Sequence, residues 1–531
     1  MSRLASQTDI DRLAAPGADG DCLIHPDPAA FAAWTRANRA ALSASPLRIL
    51  DRPLKSLRDP WLQDRPVIMT GHQPEWMHPG VWIKNVAAAE LAARLGGRAV
   101  FLIVDSDVPA GLNIPYPDRS ADPMRRAYAP APRVAAGRAY EHLASGSPDD
   151  WNDAFSAIST DPDSGLAAFQ AGFQNPPAQG DGRAAGYVDR WCAAVSELDR
   201  AIGVATPGFL RISDVFSGRG PDSGAAAMTF TAAIILAARQ FAAAYNAALQ
   251  AYRDRRDIRG TRHPIPDLEM HGPRIELPFW VVHHDRPRRR LFVEAHDRSV
   301  VLFSETDQIG EIDDASLRLD PAASLPAVIA PLCLRPRALA QTLFVRLVCC
   351  DLFIHGVGGA KYDQITDDLI QRFYNINPPA FACVSATLRL PLDLYGVSLD
   401  DVRAHARQAR DVIFNPQRYV TVENPEDPLA QLAARRTAAI EDSVRLRMES
   451  PGDRPARRDA WRRIRQANRD ILHTQGELHL ASKESAQALI RRLEHDRVAG
   501  WREWFYALHP IPRLRALRDR VSSQFSSIVP S

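Results

Sequence analysis

Lysine is almost absent from this chain. Of the 65 lysine and arginine residues only four are lysines, at positions 55, 84, 361 and 483. The abundance of arginine indicates that arginine is used wherever a positive charge alone is needed. A lysine that remains marks a place where a compact ammonium group is required, because a planar guanidinium group cannot imitate it. Lys84 and Lys361 both lie in motifs that also contain glycine.

Other absences exclude whole classes of protein. The six cysteines show no CxxC or comparable metal-ligand spacing, which predicts structural thiols in a reducing compartment. The N-terminal segment lacks the apolar stretch of a secretory signal. The most apolar segment, 225–252, is interrupted by Arg239 and Gln240 and is too short to span a bilayer. We therefore expect a cytoplasmic protein with no membrane partner.

The net charge is also small. A formal charge of +2 predicts no strong attraction of the whole chain to nucleic acid. Residues 401–531 carry 24 basic and 17 acidic groups, so this part is +7 and the remainder is −5. Its arginine-dense run 461-WRRIRQANRD-470 favours a solvated helix face over an RNA-binding surface. We expect small-molecule partners and no nucleic acid.

Apolar runs predict an α/β core. A chain of 531 residues exceeds the usual size of a single core, so two or three domains are expected. The strand 66–70, the helix 81–95 and the strand 98–107 form a βαβ unit, and their near-continuous apolar strands indicate a parallel sheet covered on both faces. Segment 109–150 is predicted to be a long loop, and 151–262 a helical insertion.

The second half of the chain repeats this pattern before it changes character. Further elements are predicted as a hairpin, a helix, a strand followed by a glycine loop and a helix, and a closing strand; they span 274–295, 332–350, 351–374 and 380–391. Beyond residue 400 the arginine-rich segments 428–449 and 456–500 are predicted to form an antiparallel helical hairpin.

The first strand–helix junction carries a group of candidate ligand-binding residues. In a doubly wound sheet, ligands bind outside the carboxyl ends of the strands, and helix N-termini favour anions there. Histidine and lysine side chains can contact phosphate oxygens, and glycine allows close approach of the backbone. The alternative is a proline-stiffened structural loop. The candidates are Gly71, His72, Gln73, His78, Gly80, Lys84 and Asn85.

The second junction, 355-HGVGGAKYDQ-364, is predicted to be a glycine loop before a helix that begins near Tyr362. It matches neither GxGxxG nor a Walker A loop. Paired with the first junction, it predicts the opposite wall of one cleft, whereas a tight structural turn is the alternative. The candidates here are Gly358, Gly359, Lys361, Tyr362 and Asp363.

Two further groups of polar residues follow apolar runs. Asp105 and Asp107 end the second strand, where they can orient an amine or serve as turn residues. Arg335, Arg337 and Gln341 begin a predicted helix, where they can bind carboxylate or phosphate or pair with local acids. The pair His283-His284 lies at a hairpin turn with no third ligand at metal spacing, so no metal site is predicted.

Several of these motifs, in this order, resemble the cysteine-adding enzymes of bacillithiol biosynthesis. The stretches that carry the resemblance are 70-TGHQPEWMHPGVWIKN-85, 99-AVFLIVDSD-107, 334-LRPRALAQ-341, 358-GGAKYDQ-364 and the helical region 428–500. The chain departs from the family where DSDVP lacks a histidine. It also holds only half of the HxGH pattern of nucleotidylyltransferases, because Val81 follows His78-Pro79-Gly80.

The resemblance implies a fold, a reaction and a cofactor. The fold is α/β, with a Rossmann-like, nucleotidylyltransferase-like parallel sheet in a core of residues 1–400 and a C-terminal helical coiled coil in 401–531 that forms a homodimer. The reaction is an ATP-dependent joining of an amino acid carboxylate to an amine, with ATP or ADP as nucleotide and Mg²⁺ as a candidate companion. His72, His78, Lys84, Asp105 and Asp107 would be catalytic, and the other candidates would bind nucleotide. The alternatives are an HxGH-type nucleotidyltransferase and a non-catalytic nucleotide-binding or scaffold protein.

Overall fold

A computed structural model describes residues 7–134, 136–144, 148–158, 161–178, 184–258, 265–420, 424 and 426–528. The described residues fall into two compact units. The first unit comprises those of Met1–Tyr116, Tyr128–Leu390 and Arg502–Ser531, and the second comprises those of Pro117–Ala127 and Pro391–Trp501. The second unit thus begins at Pro391 rather than at the expected residue 400, and the C-terminal segment belongs to the first unit.

The described residues contain sixteen strands. They are β1 (Cys22–His25), β2 (Arg48–Ile49), β3 (Arg52–Pro53), β4 (Val67–His72), β5 (Arg98–Ile103), β6 (Ile114–Asp118), β7 (Arg125–Ala129), β8 (Gly208–Arg211), β9 (Met270–His271), β10 (Arg274–Val282), β11 (Arg289–Ala295), β12 (Ser299–Ser304), β13 (Asp307–Asp313), β14 (Cys333–Pro336), β15 (Leu352–His355) and β16 (Ala382–Ala386).

They also contain nineteen α-helices. These are α1 (Gln7–Arg12), α2 (Pro28–Ser43), α3 (Leu54–Leu62), α4 (Pro79–Arg94), α5 (Pro148–Ser156), α6 (Leu166–Gln174), α7 (Tyr187–Ile202), α8 (Ile212–Val215), α9 (Ala225–Leu236), α10 (Ala238–Arg255), α11 (Asp314–Leu319), α12 (Pro321–Ile329), α13 (Ala338–Phe344), α14 (Val357–Leu369), α15 (Leu399–Phe414), α16 (Pro428–Glu449), α17 (Arg454–Thr474), α18 (Gly476–Ala499) and α19 (Ile511–Phe525).

The main sheet of the first unit has the strand order β1-β16-β15-β4-β5-β8. All neighbours are parallel except β1, which runs antiparallel to β16. The predicted βαβ unit is confirmed, because β4 and β5 pair in parallel around α4. From β4 the chain builds the sheet outward through β5 and β8, and it later returns to the other side of β4 with β15 and β16. The direction of building therefore reverses between β4 and β15.

A second, antiparallel sheet in the same unit has the order β13-β12-β11-β10-β14. Strands β10 and β11 confirm the predicted hairpin. The single helix predicted over 332–350 is wrong at its start, because Cys333–Pro336 pairs with β10 as β14. Pro336 explains this difference, since proline disfavours helical backbone in the residue before it.

Other predicted elements differ in extent. The long helix of 225–252 is two helices, α9 and α10, which meet at an angle of 91° because the backbone leaves the helical conformation at Ala237. The insertion 151–262 contributes β8 to the main sheet, and part of it lies outside the described residues. The loop 109–150 contains two short strands and a helical turn, and the strand predicted over 380–391 is confined to Ala382–Ala386.

In the part of the chain that the structure describes, no single helix is both long and apolar enough to cross a membrane, and only the bent pair α9 and α10 reaches the required length together. None of the six cysteines forms a disulfide bond.

The second unit is helical. Helices α16 and α17 are joined by a short turn, and contacts of Arg436 with Asn468 and of Asp442 with Arg463 show that they run antiparallel. The predicted hairpin is thus present, but its second arm is divided into α17 and α18. Helix α15 packs against α18.

A buried ion pair fixes the start of β15 to its surroundings. The Asp351 carboxylate accepts a hydrogen bond from Arg58 at 2.8 Å, from Arg39 at 3.1 Å and from the backbone N–H of Val67 at 3.0 Å. Arg58 is 1% exposed. This one carboxylate therefore links α2, α3 and β4 to the strand beside which the chain reverses.

We expect Asp351→Ala to lower the free energy of unfolding by about 3 to 5 kcal/mol, because it leaves the Arg58 guanidinium buried and unpaired. The change is measured by the shift of the urea midpoint. Asp59→Ala, which removes an exposed partner of Lys55, is the matched control and should cost less than about 1 kcal/mol. Equal losses for the two variants would contradict this role of Asp351.

Candidate functional site

The two predicted junctions lie side by side. Strands β4 and β15 pair in parallel, with Thr70 opposite Ile354, so both end at the same edge of the sheet. From this edge β4 leads into α4 and β15 leads into α14. The point where strand order reverses is where ligands bind in open parallel sheets, because the two connections leave in opposite directions and open a crevice.

The loop before α4 is closed by its own side chains. His78 is the N-cap of α4, and its Nδ1 accepts a hydrogen bond from the Gly80 N–H at 3.1 Å. A Cβ atom at Gly80 would lie 2.5 Å from the carbonyl oxygen of Ala386, so only glycine fits there. The His78 side chain already accepts the Gly80 N–H, and Pro79 has no N–H to donate. The N-terminus of α4 therefore has fewer free donors for an anion than the sequence predicted.

Lys84 is a buried cation without an acidic partner. Its side chain is 4% exposed, and its Nζ donates to the carbonyl oxygen of Gly71 at 2.8 Å. No carboxylate of the described residues pairs with it. Burial lowers the Lys84 pKa to about 8. Buried charged groups are usually paired with an opposite charge, and this ammonium group has no such partner among the described residues.

The two histidines near Lys84, His72 and His78, carry no charge at neutral pH. Burial lowers the pKa of His72 to about 4 and that of His78 to about 3, and the nearby charges of Lys84 and Arg502 respectively act in the same direction. Both rings are therefore neutral at pH 7. His78 accepts at Nδ1, which assigns its proton to Nε2.

Helix α14 begins five residues before the predicted start. Gly356 is its N-cap, so Gly358 and Gly359 form the first turn rather than a loop. Neither has a positive φ, and helical backbone therefore runs through them. A Cβ atom at Gly358 would meet no neighbour within 4 Å, whereas one at Gly359 would lie 3.0 Å from Nδ1 of His355. The N-terminus of α14 is uncovered on the Gly358 side.

Two candidates of this junction contact other side chains of the protein. Asp363 is buried and accepts hydrogen bonds from Arg346 at 2.6 Å and from His355 at 2.9 Å. Although burial raises the Asp363 pKa, these two partners outweigh it and hold the pKa at about 2. Tyr362 lies beside Tyr252, with ring centroids 6.3 Å apart. Asp363 is thus a structural ion-pair residue rather than an open ligand.

Lys84 and Lys361 come close to the same thiol. Burial raises the Cys383 pKa to about 12, and the positive charges of both lysines oppose that rise. Cys383 lies opposite His355 in the β15–β16 register. The two rare lysines therefore lie near one thiol at this edge of the sheet. After the crevice expected where strand order reverses, we call this region the switch-point cleft: the ends of β4 and β15, the first turn of α14, Lys84 and Lys361.

A separate cavity of about 440 Å³ opens beyond the carboxyl end of β5. It includes four of the predicted site residues, together with residues of β10, the turn after it and α13. The polar residues that line it are Gln73, Ser106, Asp107, Tyr245, Trp280, Arg288, Arg337, Gln341 and Thr342. We call this space the α13 cavity.

Asp107 is the acidic group of the α13 cavity. Its carboxylate accepts hydrogen bonds from Arg288 at 2.8 Å and from Gln73 at 3.1 Å. Gln73 follows His72 directly, so the first junction contributes to both the switch-point cleft and the α13 cavity. Arg288 also donates to the carbonyl oxygen of Ser106 at 2.7 Å.

Arg337 supplies the second guanidinium of this cavity. It forms an ion pair with the buried Glu276, and it lies 4.9 Å from the ring centroid of Trp280. Arg288 lies 4.3 Å from the same ring. Each arginine is paired with one carboxylate, so the cavity has little excess charge.

Three remaining candidates face the interior of the protein. Asp105 accepts hydrogen bonds from the backbone N–H of Ser213 at 3.0 Å and from its hydroxyl at 2.5 Å, and burial raises the Asp105 pKa to about 6. Arg335 is 2% exposed and bonds Glu141 through two nitrogens. Asn85 is fully buried and makes no side-chain hydrogen bond to the described residues.

Some site residues could not be selected from the sequence. Trp280 and Arg288 lie in and after a strand that looked like part of a hairpin, and Tyr245 lies in an alanine-rich helix. The only available signal was the DRPRRR turn, which places several arginines beside a strand. His283, His284 and Asp285 bring potential metal ligands within 4.8 Å, but they lie on an exposed turn where Asp285 already pairs with His283.

We expect Lys84→Met to remove a pH dependence of stability. The folded pKa of about 8 is below the ordinary 10.5, so the unfolded chain binds more protons between these values and wild-type stability rises with pH across them. The rise attributable to Lys84 is roughly 3 kcal/mol.

Urea unfolding at pH 7.5 and pH 10 measures this difference. Lys55→Met, which changes an exposed lysine, should keep the wild-type dependence. A Lys84→Met protein with the same dependence as the wild type would show that the ammonium group is not buried without a counter-charge.

Comparison with known proteins adds no relative to this geometry. No protein-family model matches the chain, and no curated protein matches it. The resemblance to cysteine-adding enzymes accordingly rests on the sequence motifs alone. The switch-point cleft and the α13 cavity are the candidate ligand-binding sites of the first unit.

Proposed function

We propose that this protein is an ATP-dependent, amide-forming ligase related to the cysteine-adding enzymes. Its main sheet would then be a Rossmann-like core. The strand order supports this, because a parallel sheet built outward in both directions from β4 is the arrangement that binds nucleotides at its reversal point.

The uncompensated positive charge of the switch-point cleft carries the proposal. Lys84 is buried there without an acidic partner, and Lys361 adds a second ammonium group. The backbone N–H groups of the first turn of α14 face the same edge of the sheet. Phosphate groups supply the missing negative charge, and a helix N-terminus supplies donors for their oxygens.

Amide formation requires the carboxylate to be activated. In the proposed reaction a carboxylate oxygen attacks the α-phosphorus of ATP and expels pyrophosphate to form an acyl-adenylate, or it attacks the γ-phosphorus and expels ADP to form an acyl-phosphate. An amine then attacks the carbonyl carbon and expels AMP or phosphate. Lys84 and Lys361 would stabilise charge that develops on the phosphate oxygens.

The acid–base roles follow from burial and hydrogen bonding. Asp107 lines a cavity and can hold or deprotonate an amine, whereas Asp105 is occupied by Ser213. His72 is neutral, and its pKa of about 4 makes it a weak proton acceptor at pH 7. Among the described residues of the site, no group of carboxylates forms a cage for a resident metal. Mg²⁺ would therefore arrive with the nucleotide and be held mainly by its phosphates.

We also propose that the second unit forms a homodimer, as the coiled-coil expectation requires. Large apolar side chains that are exposed concentrate in this unit, and contiguous apolar surface marks interaction sites. Its exposed members are Leu394, Tyr395, Leu399, Ile413, Phe414, Val444, Met448, Trp461 and Ile490.

We expect isotope exchange between pyrophosphate and ATP that depends on one amino acid. Lys84→Ala and Lys361→Ala should each reduce the exchange rate by about tenfold or more, because each removes a charge from the phosphate site. Lys483→Ala, which lies in the second unit, is the matched control and should be neutral.

The other outcomes separate the alternatives. Exchange without any amino acid indicates a nucleotidyltransferase, and ATP binding without turnover indicates a non-catalytic protein. If ADP rather than pyrophosphate exchanges with ATP, activation proceeds through an acyl-phosphate. Normal exchange in both lysine variants would contradict the switch-point cleft as the nucleotide site.

We expect the double substitution Val444→Glu and Met448→Glu to convert the dimer into a monomer, because it places two charges in the proposed apolar interface. Sedimentation velocity measures the change. Leu319→Glu introduces the same charge at an exposed position of the first unit and should leave the dimer intact. A double variant that remains dimeric would remove this interface.

A further inference from the structure

The α13 cavity holds buried polar groups that the protein itself does not use. Tyr245, Arg337 and Gln341 are 1%, 9% and 8% exposed and all line the cavity. Within the described residues, the Tyr245 hydroxyl and the Gln341 amide have no hydrogen-bond partner, and Arg337 uses one of its side-chain nitrogens, for Glu276. Buried polar groups are normally satisfied, so these donors indicate a ligand.

The polar groups that line the cavity form two chemically different regions. Arg337, Gln341 and Tyr245 present N–H and O–H donors, which suit a carboxylate. The Asp107 carboxylate and the side-chain amide oxygen of Gln73 present acceptors, which suit an ammonium group. Because Asp107 is bonded to Arg288, and both Arg288 and Arg337 contact the ring of Trp280, the two regions are adjacent.

The charge balance excludes a phosphate-rich ligand. Arg288 is paired with Asp107 and Arg337 with Glu276, so the cavity has no surplus of positive charge. A nucleoside triphosphate would place several negative charges close to the Asp107 carboxylate. A ligand that is neutral overall but carries both signs matches the cavity instead.

The remaining wall is apolar. It consists of Val104, Ile265, Pro266, Pro336, Ala338 and Leu339. At roughly 30 Å³ for a water-sized group, a cavity of about 440 Å³ accommodates roughly fifteen non-hydrogen atoms. Cysteine, with about seven, would leave about half of it unfilled, and unfilled apolar space forfeits contacts.

We propose that the α13 cavity binds a free α-amino acid with a large apolar side chain, as a zwitterion, in preference to cysteine. The carboxylate contacts Arg337 and Gln341, the ammonium group contacts Asp107, and the side chain lies against Ile265 and Leu339. That this amino acid is the one activated by ATP rests on the proposed ligase function, whereas its binding does not.

Isothermal titration of the full-length protein without ATP tests the binding. Phenylalanine and leucine should bind about tenfold or more tightly than cysteine. 3-Phenylpropionate, which lacks the ammonium group, and phenethylamine, which lacks the carboxylate, should each bind at least about tenfold more weakly than phenylalanine. Equal or tighter binding of cysteine, glucosamine or ATP in this cavity would overturn the proposal, as would binding of none of the amino acids.

Two variants locate the site. Gln341→Leu replaces the amide with an apolar group of similar size and should weaken phenylalanine binding by about tenfold. Ala338→Phe places a ring at the exposed start of α13 and should exclude phenylalanine while it retains cysteine. Ala315→Phe makes the same change on the exposed surface of α11 and should bind phenylalanine like the wild type. Unchanged phenylalanine binding in both Gln341→Leu and Ala338→Phe would overturn the assignment to this cavity.

Binding and exchange fail independently. Phenylalanine binding without exchange of either pyrophosphate or ADP into ATP would support this cavity assignment and contradict the proposed ligase. Exchange that requires cysteine or a small polar amino acid would support the ligase and overturn the preference proposed for the α13 cavity.

Discussion

A positive charge without a negative partner is the constraint on which the candidate site depends. The Lys84 ammonium group is held inside the sheet edge by the Gly71 carbonyl oxygen, beside histidines that burial keeps neutral. The buried arginines among the described residues of the first unit pair with acids, as Arg58 does with Asp351, Arg335 with Glu141 and Arg346 with Asp363. Lys84 differs from them and lies where the strand order reverses, which is the basis of our proposal that the protein binds an anion there.

The fold separates this charge from a second site that is neutral. Strand β4 ends between them, so that His72 belongs to the switch-point cleft and Gln73 to the α13 cavity. The antiparallel sheet completes the cavity through Trp280 and, after β10, Arg288. The proposed phosphate chemistry and the proposed recognition of a zwitterion would thus have different electrostatic environments within one unit, and a carboxylate bound beside Gln73 would be near the phosphates that activate it.

The sequence was most informative where a residue's neighbours are local. The apolar runs of β4 and β5 identified a parallel sheet, and the scarcity of lysine identified the two cations of the cleft. The glycines at 356, 358 and 359 predicted a loop where α14 already begins, because glycine permits a loop without requiring one. Strand β8 was missed because a short strand in an alanine-rich segment has no pattern of its own. The partners of Arg335 and Asp105 lie far away in the chain, so only the fold shows that Glu141 and Ser213 occupy these two side chains.

The affinity for ATP as a function of pH tests the central claim most directly. If Lys84 supplies the uncompensated charge, the affinity of the wild type falls as pH rises above about 8, where this lysine loses its proton. In Lys84→Met the affinity is weaker and does not change over the same range. Parallel pH profiles for the two proteins, or equal affinities at pH 7, would contradict the claim that Lys84 binds the phosphates.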